Sequence, residues 1–453
     1  MIVMKFGGTS NRDAAAIRNV IEIITTHLPL RPVVVISAIA KATNELEKMA
    51  RTAARGEHST SEEVLSHFIS RHAEIVASLF PPGHRRDELE ALLATARAAI
   101  AQLIQGVSIL RELTPRTMDA FCAFGERLSS AIVAAGLQQS GRNAAWVDAG
   151  EFMITDDHHG NALPLMSRVT HRLSAIVRPM VDAGVVPVTQ GFIGVTEDGV
   201  PTTMGRESSD FSASIIGAAM HADLVQIWTD VDGILTADPS VVHEIHKIPS
   251  MTFDEAFELS YFGAKVLHPN TMLPLLEENI PVEVRNSAKS REEGTRIEKR
   301  PERGDLRGGV KSIAYQRGMS LITVRPRKRS DQYLFWEGVF SVLSRQGMRS
   351  RATSASEQCI ALAVAEKIDA TSLCNALEEF GIVRVQPGKA SITLVGEGLG
   401  TMKGFAARVF AVLSEMTVDM VSFGASELSL TLVLDEVLVD RALQGLHEAF
   451  FSG

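Results

Sequence analysis

The chain has 453 residues, too many for one compact core, so two or three domains are expected. Apolar residues at 45% and charged residues at 22% are those of a globular protein. A net charge of −9 argues against a nucleic-acid binder, which would carry a basic face. The start, MIVMKFGGTS, lacks the basic segment and long apolar run of a signal peptide, and no uninterrupted apolar stretch reaches membrane-spanning length. Cys122, Cys359 and Cys374 show no C-x-x-C spacing and read as reduced thiols, so the expectation is a cytoplasmic protein with no membrane partner.

In chain order, IVMKF at 2–6 predicts a strand that ends in the turn Gly7-Gly8-Thr9, with Ser10 or Asn11 placed to cap a helix beginning near Asp13. PVVVISAIA at 32–40 is a β-branched run expected of a parallel strand buried on both faces. From about 57 to 140 the spacing is helical; AAWVDA and VVPVTQGFIGV then read as strands around the helix MSRVTHRLSAIVRPMVDAG. DFSASIIGAAMHA predicts a helix, DLVQIWTDVDGIL a strand with its exit turn, FDEAFELSYFGAKVL a helix and IPVEVRNS a strand. Strands alternating with helices predict an α/β layer structure with a mainly parallel sheet. The charged stretch AKSREEGTRIEKRPERGDLRGG, at 288–310, marks a domain boundary. Beyond it a weak repeat (SLITVRP, EGVFSVLSRQGM and CIALAVA, then ASITLVG, AARVFAVLSEMTVDM and LSLTLVL) predicts paired small α+β modules.

Four segments carry candidate chemistry. In Lys5-Phe6-Gly7-Gly8-Thr9-Ser10 a strand runs through two glycines into a helix, with a cation at the strand tip, which suits a phosphate tail. Strand–glycine–helix turns are common without any ligand, and the P-loop pattern is absent. Thr202–Asp210 places Gly205 and Arg206 before a helix start, where an arginine can grip a carboxylate bidentately; Ser209 and Asp210 alone would be ordinary caps. Trp228–Leu235 closes a buried strand, at the edge where open parallel sheets bind ligands, although Asp-Gly is also a plain turn signal. Phe262–Pro269 carries Lys265, and a lone helical lysine is usually just solvated. Gly396-Glu397-Gly398-Leu399-Gly400 faintly imitates a dinucleotide fingerprint but has too little chain after it, and reads as the turn of the last module.

Together and in order, K-F-G-G-T-S, S-A-(x4)-T-N, F-G-E-R-L-S, Q-G-F-I-G, T-T-x-G-R-x-x-S-D, W-T-D-V-D-G-I and F-G-A-K-V-L-H-P resemble the aspartate kinase family, and the repeat after 310 looks like that family's tandem ACT domains. Glutamate 5-kinase and acetylglutamate kinase share the fold and the lysine–glycine turn, but would not be expected to show Q-G-F-I-G with F-G-A-K-V-L-H-P. The resemblance implies an amino-acid-kinase-type three-layer domain over 1–290, a linker over 291–310, and ferredoxin-like ACT modules over 311–387 and 388–453. It implies transfer of phosphate from ATP to the β-carboxylate of L-aspartate, the first step toward lysine, threonine and methionine, with Mg²⁺ riding mainly on the ATP phosphates.

Carried over by position, the resemblance gives Lys5, Gly7 and Gly8 the transferring phosphate, and gives Ser37 and Thr43 the aspartate pocket. Glu126 would take the substrate ammonium, and Arg206, with Ser209 beside it, the substrate carboxylate. Asp210 would orient Lys5; Thr229, Asp230, Leu235, Lys265 and Val266 would line the nucleotide site, with Lys265 reaching the phosphates. Three departures stand out: Glu207-Ser208 replaces the usual glycine pair, Leu235 an aromatic, and Ser240 an arginine. ACT modules of this family pair between subunits, so a homodimer or larger assembly with an amino-acid effector is implied. The position that meets a lysine effector's ammonium in lysine-sensitive relatives falls in Arg349-Ser350-Arg351-Ala352, and within it at Arg351, which points to an effector without a cationic side chain, threonine first, or to modules that serve only dimerisation. The reading from another class is an amino-acid-binding regulator without turnover; Lys5, Asp210 and Lys265 speak against it.

Overall fold

The computed structural model describes residues 1–205, 208–263, 267–299, 309–327, 331–365 and 370–452. They form two compact units: residues 1–233 with 270–299, and residues 234–269 with the chain from 300 onward. The segment 234–269, expected inside the first domain, thus groups with the C-terminal unit.

In the first unit, β1 (Ile2–Phe6) leads to α1 (Ala14–Thr26), then β2 (Pro32–Ile36) and four helices, α2 (Ala42–Ala54), α3 (His58–Leu79), α4 (His84–Leu110) and α5 (Pro115–Gln139). There follow β3 (Ala144–Trp146), α6 (Met166–Asp182), β4 (Val186–Gln190), β5 (Ile193–Val195), β6 (Pro201–Thr203), α7 (Ser208–Ala219) and β7 (Leu224–Thr229). In the second unit, β8 (Ser250–Thr252) runs into α8 (Phe253–Tyr261); the chain returns to the first through α9 (Pro269–Glu277), β9 (Val282–Asn286) and β10 (Thr295–Glu298).

The sheet of the first unit runs β3-β4-β2-β1-β7-β9-β10, parallel except for β10 against β9. Strands β1 and β2 are buried along their whole length, as the apolar run of β2 and that of β1, broken only by Lys5, require. Met4, Phe6, Val34 and Ile36 pack with the α1–α5 layer. Side chains alternate across a strand, so Val3, Val33 and Val35 face the opposite layer, where α6 and α7 lie against β4, β1, β2 and β7.

Among the described residues two helices, α4 and α5, are long and apolar enough on average to cross a membrane, although neither contains an uninterrupted apolar run of membrane-spanning length. The apolar window of α5 is 83% buried inside the protein, as in a core helix, whereas that of α4 is 28% buried: α4 gives one face, with Leu93, Ile100 and Ile104, to the same core.

Several elements differ from expectation. Asp13 caps α1, its carboxylate accepting from the Ala16 N–H at 2.8 Å. Asn11 is instead buried inside the turn, where its amide donates to the carbonyls of Phe6 and Gly7. The run expected as one strand over 32–40 leaves the sheet after Ile36. VVPVTQGFIGV splits at Gly191-Phe192, with Phe192 at φ +66°. Helix α8 stops at Tyr261, because Gly263 adopts φ +100°, a conformation only glycine takes readily.

The rest of the second unit comprises β11 (Ser312–Arg325), α10 (Gln332–Arg345), β12 (Ala352–Ser356), β13 (Cys359–Ala365), α11 (Ala370–Leu377), β14 (Ile382–Val395), α12 (Phe405–Val412), β15 (Val418–Phe423), β16 (Ser429–Asp435) and α13 (Val439–Phe451). One six-stranded antiparallel sheet holds them in the order β12-β13-β11-β14-β16-β15. Strands β11 and β14 are each shared by two cores. Leu321–Arg325 pairs with the start of β14 and packs under α10 and α11, whereas Ser312–Gln316 pairs with its end and packs under α12 and α13.

The modules are therefore not consecutive. The second takes its fourth strand from residues 312–316, ahead of the first, so the cut at 387/388 divides strand β14 and leaves the second module one strand short. A register shift between Gln316, Met319 and Leu321 lets one strand serve both cores.

Candidate active site

At the carboxyl edge of the first sheet, four adjacent parallel strands end side by side. From β1 comes the Gly7-Gly8 turn, and the Gly7 N–H donates to the Trp228 carbonyl of β7 at 3.1 Å. From β2 comes the segment Ser37–Lys41. The Ser37 N–H donates to the Phe6 carbonyl at 3.1 Å, and the Ala40 N–H to the Gly8 carbonyl at 3.1 Å. A Cβ on Gly8 would sit 3.0 Å from the Ala38 carbonyl, so the close approach of the two turns depends on glycine. A Cβ on Gly7 would lie 3.6 Å from the Lys5 ammonium; glycine leaves that face of the charge uncovered.

Lys5, 8% exposed, pairs with Asp210 of α7 at 2.5 Å. A buried ammonium needs such a partner, and the pair fixes where its charge points. The placement of Asp210 rests on Gly191, the first glycine of Q-G-F-I-G. A Cβ on Gly191 would fall 2.8 Å from the Cα of Ser209, and the Phe192 N–H donates to the Ser212 hydroxyl at 2.8 Å, so the strand exit is packed directly on the start of α7. Gly191→Ala should therefore push Ser209 and Asp210 away from Lys5 and cost about tenfold or more in turnover in a protein that still melts cooperatively. Steady-state rates alongside a thermal melt check this, and native turnover would disconnect Gly191 from the site.

Glu126 lies on α5 and is 3% exposed. One of its oxygens accepts from the Ala38 N–H at 3.3 Å; the other has no hydrogen-bond partner among the described residues. Burial pushes its carboxyl up to about 8, against which the Ala38 bond is a smaller, opposing effect. Next to it the Ser129 hydroxyl donates to the Ser37 carbonyl at 2.8 Å, joining α5 to the β2 segment. A buried carboxylate with an open oxygen is stable in its charged form only when a cation arrives.

Ser37 is buried at the β2 exit, and Thr43 is half-buried in the first turn of α2. Ser209 and Asp210 are half-buried in the first turn of α7. Thr229 and Asp230 end β7, the threonine hydroxyl 3.2 Å from the aspartate carboxylate. Asp232 accepts from Asn286 at 2.6 Å and pairs with Lys289 at 2.6 Å. Leu235 belongs to the second unit, where its carbonyl accepts from the Ser312 hydroxyl at 2.8 Å. Arg206, Glu207, Lys265 and Val266 lie outside the described residues.

The first unit thus brings together Lys5, Gly7, Gly8, Ser37, Glu126, Asp210 and the Thr229-Asp230 exit. The sequence offered Asn11 only as a helix cap, whereas it closes the Gly7-Gly8 turn, and gave no role to Asp119. Buried at 1%, Asp119 accepts from the Thr203 hydroxyl at 2.5 Å and the Gly160 N–H at 3.0 Å, pinning β6 just ahead of Gly205. A charged residue on the apolar face of α5 was the available signal for it.

The Amino acid kinase family profile matches residues 1–286, and an ACT domain profile matches residues 392–450. The chain is 31% identical to the Lysine-sensitive aspartokinase 3 of Escherichia coli, over 100% of this chain and 99% of that protein. It is 32% identical to the chloroplastic Aspartokinase 1 of Arabidopsis thaliana, over 99% of this chain and 80% of that protein. Among solved structures it resembles Escherichia coli aspartokinase III in complex with aspartate and ADP, the R-state, with TM-score 0.82 and 100% of both chains covered. The T-state of that enzyme, in complex with lysine and aspartate, aligns at TM-score 0.80 over 100% of this chain and 99% of that one. With the profile over residues 1–286, the parallel sheet with a lysine–glycine turn at its carboxyl edge belongs to an amino acid kinase domain. The chain belongs to the aspartokinases of the amino acid kinase family.

Proposed function

We propose that this protein is an aspartate kinase, transferring the γ-phosphoryl group of ATP to the β-carboxylate of L-aspartate, the step that opens the biosynthesis of lysine, threonine and methionine. The observation that carries the reading is the buried Glu126 carboxylate, with one open oxygen, set in the same loop network as the Lys5–Asp210 pair. An α-amino acid supplies the missing ammonium, and its side chain can then extend toward the lysine.

In this reading Glu126 binds the substrate ammonium, Ser37 and Thr43 line the pocket, and Arg206 with Ser209 holds the α-carboxylate. The β-carboxylate is already ionised at neutral pH and needs no base. One of its oxygens bonds to the γ-phosphorus as the bridge to the β-phosphate breaks, and ADP leaves with that electron pair. Catalysis is then positioning and charge neutralisation. Lys5 faces the transferring group, Asp210 holds Lys5, and Gly7 and Gly8 let the phosphate come close. Thr229, Asp230, Leu235, Lys265 and Val266 are assigned to the nucleotide. Mg²⁺ would arrive with ATP and would take its ligands chiefly from phosphate oxygens.

A panel of acceptors with coupled ADP detection tests the assignment. ADP should appear with aspartate and stay at background with glutamate or N-acetylglutamate; equal rates with glutamate would refute it.

The second unit is assigned to amino-acid control and subunit pairing, which Tyr333 and Leu334, exposed at 74% and 66% on its first module, support by offering apolar surface for a homodimer or larger assembly. The enzyme is assigned to the cytoplasm. Arg351 stacks over the Tyr261 ring at 5.2 Å and donates to the Tyr261 carbonyl, while the Tyr261 hydroxyl donates to the Ser350 carbonyl at 2.7 Å. A cation there repels a lysine ammonium, so lysine alone should leave the rate within about twofold at subsaturating aspartate. Strong inhibition at sub-millimolar lysine would defeat this, and threonine is the first alternative effector to titrate.

A further inference from the structure

Arg71 of α3 sits outside every motif that marks the site, yet its guanidinium reaches the segment leaving β2. One nitrogen donates to the Ala40 carbonyl at 2.7 Å, and another pairs with Glu45 of α2 at 3.0 Å. The side chain is 22% exposed and that of Glu45 17%, so both bonds are partly shielded from water. Glu45 is held from its other oxygen by His67, 3.1 Å away.

What Arg71 grips is a strained stretch beside the site. Lys41, the residue after Ala40, adopts φ +68°, the left-handed region that residues with a Cβ enter at a cost. Such a turn persists only when its surroundings over-determine it. On the inner side the segment is tied by the Ala38 N–H to Glu126 and the Ala40 N–H to the Gly8 carbonyl. On the outer side the Ala40 carbonyl is tied by Arg71 alone among the hydrogen bonds found for the described residues. A planar guanidinium can hold a carbonyl and a carboxylate at once in fixed directions; an ammonium on a flexible stem cannot hold both in the same way.

We infer that Arg71 is a positioning residue for aspartate: it locks the Ala40–Lys41 turn so that Ser37, the Ala38 N–H and Thr43 present one rigid wall of the amino-acid pocket. The inference rests on the assignment of Ser37–Thr43 to the aspartate site. Arg71 touches no reacting group; its effect passes through the loop, whose displacement by a fraction of an ångström weakens substrate contacts and leaves the phosphate chemistry in place.

Arg71→Ala should raise the aspartate KM by about tenfold or more, leave the ATP KM within about twofold, and lower kcat by less than the aspartate KM rises. Arg71→Lys, which keeps the charge and one of the two bonds, should give an intermediate aspartate KM. Both are measured beside the unmodified enzyme, with a thermal melt to confirm folding. Equal increases in both KM values, or an unchanged aspartate KM in a folded Arg71→Ala protein, overturn the inference. If Arg71→Ala does not fold, Arg71→Lys decides: a selective aspartate effect supports the inference and unaltered kinetics overturn it. Absence of aspartate-dependent turnover in the unmodified enzyme would instead remove the functional assignment itself.

Discussion

Lys5→Met lowers kcat by about 10²–10³-fold or more, with far smaller changes in the KM for either substrate, because the ammonium neutralises charge that is greatest in the transition state. The same substitution strips Asp210 of its partner at 2.5 Å, and a half-buried carboxylate left alone destabilises the fold. Loss of turnover could then be confused with loss of structure. The double variant Lys5→Met/Asp210→Asn separates the two: it removes both charges, should recover most of the lost thermal stability, and should recover none of the turnover. Single-turnover measurements with ATP, Mg²⁺ and saturating aspartate read the chemical step directly. A folded Lys5→Met protein with near-native kcat would show that the Lys5–Asp210 pair is structural only.

Glu126→Gln has opposite effects on function and stability. The amide keeps the shape and can accept from the Ala38 N–H, but cannot balance an ammonium, so the aspartate KM should rise by about 10²-fold. In the free enzyme the carboxyl is pushed up to about 8 from an ordinary 4.5, so between those values the folded protein retains a proton that the unfolded chain releases. Stability therefore falls as pH rises through that window, by a total on the order of a few kcal/mol. Glu126→Gln removes the penalty, and its melting temperature at mildly alkaline pH should exceed that of the unmodified protein while the two converge in mild acid. Substrate binding has the reverse dependence. The ammonium must meet an ionised carboxylate, so kcat/KM for aspartate should climb with pH and level off near the Glu126 value of about 8. A flat profile, with no stabilisation in Glu126→Gln, would place the cation site elsewhere.

Much of the backbone around the candidate site was readable in the sequence, because its parts are short backbone events with strong local signals. Two glycines after β1 and a lysine at the strand tip mark a tight turn beside a cation, and Lys5 is buried there against Asp210. What was not readable depends on long-range register or on residues with two plausible roles. Asn11 fits the composition of a helix cap but turns inward to close the Gly7-Gly8 turn, leaving the cap to Asp13. Helix α9 carries Pro274 in its interior, which breaks the usual signal, and α2 starts from the left-handed Lys41. The sharing of β11 between two cores is set by a register shift near Met319, and no local pattern marks which half of a strand serves which core. Arg71 was invisible for the same reason: its two partners lie 31 and 26 residues away in the chain.

The shared strands bear on control as well. Ser312–Gln316 and Leu321–Arg325 are continuous in one strand but belong to different modules. An effector that shifts one module must work through that strand on the other, so the modules should respond to ligand as a pair.

The most direct test is to identify the product. The account predicts an acyl phosphate on the aspartate side chain, which hydroxylamine converts to the β-hydroxamate of aspartate in an amount matching the ADP formed. ADP formed without aspartate hydroxamate, or hydroxamate formed as readily from glutamate, would contradict it.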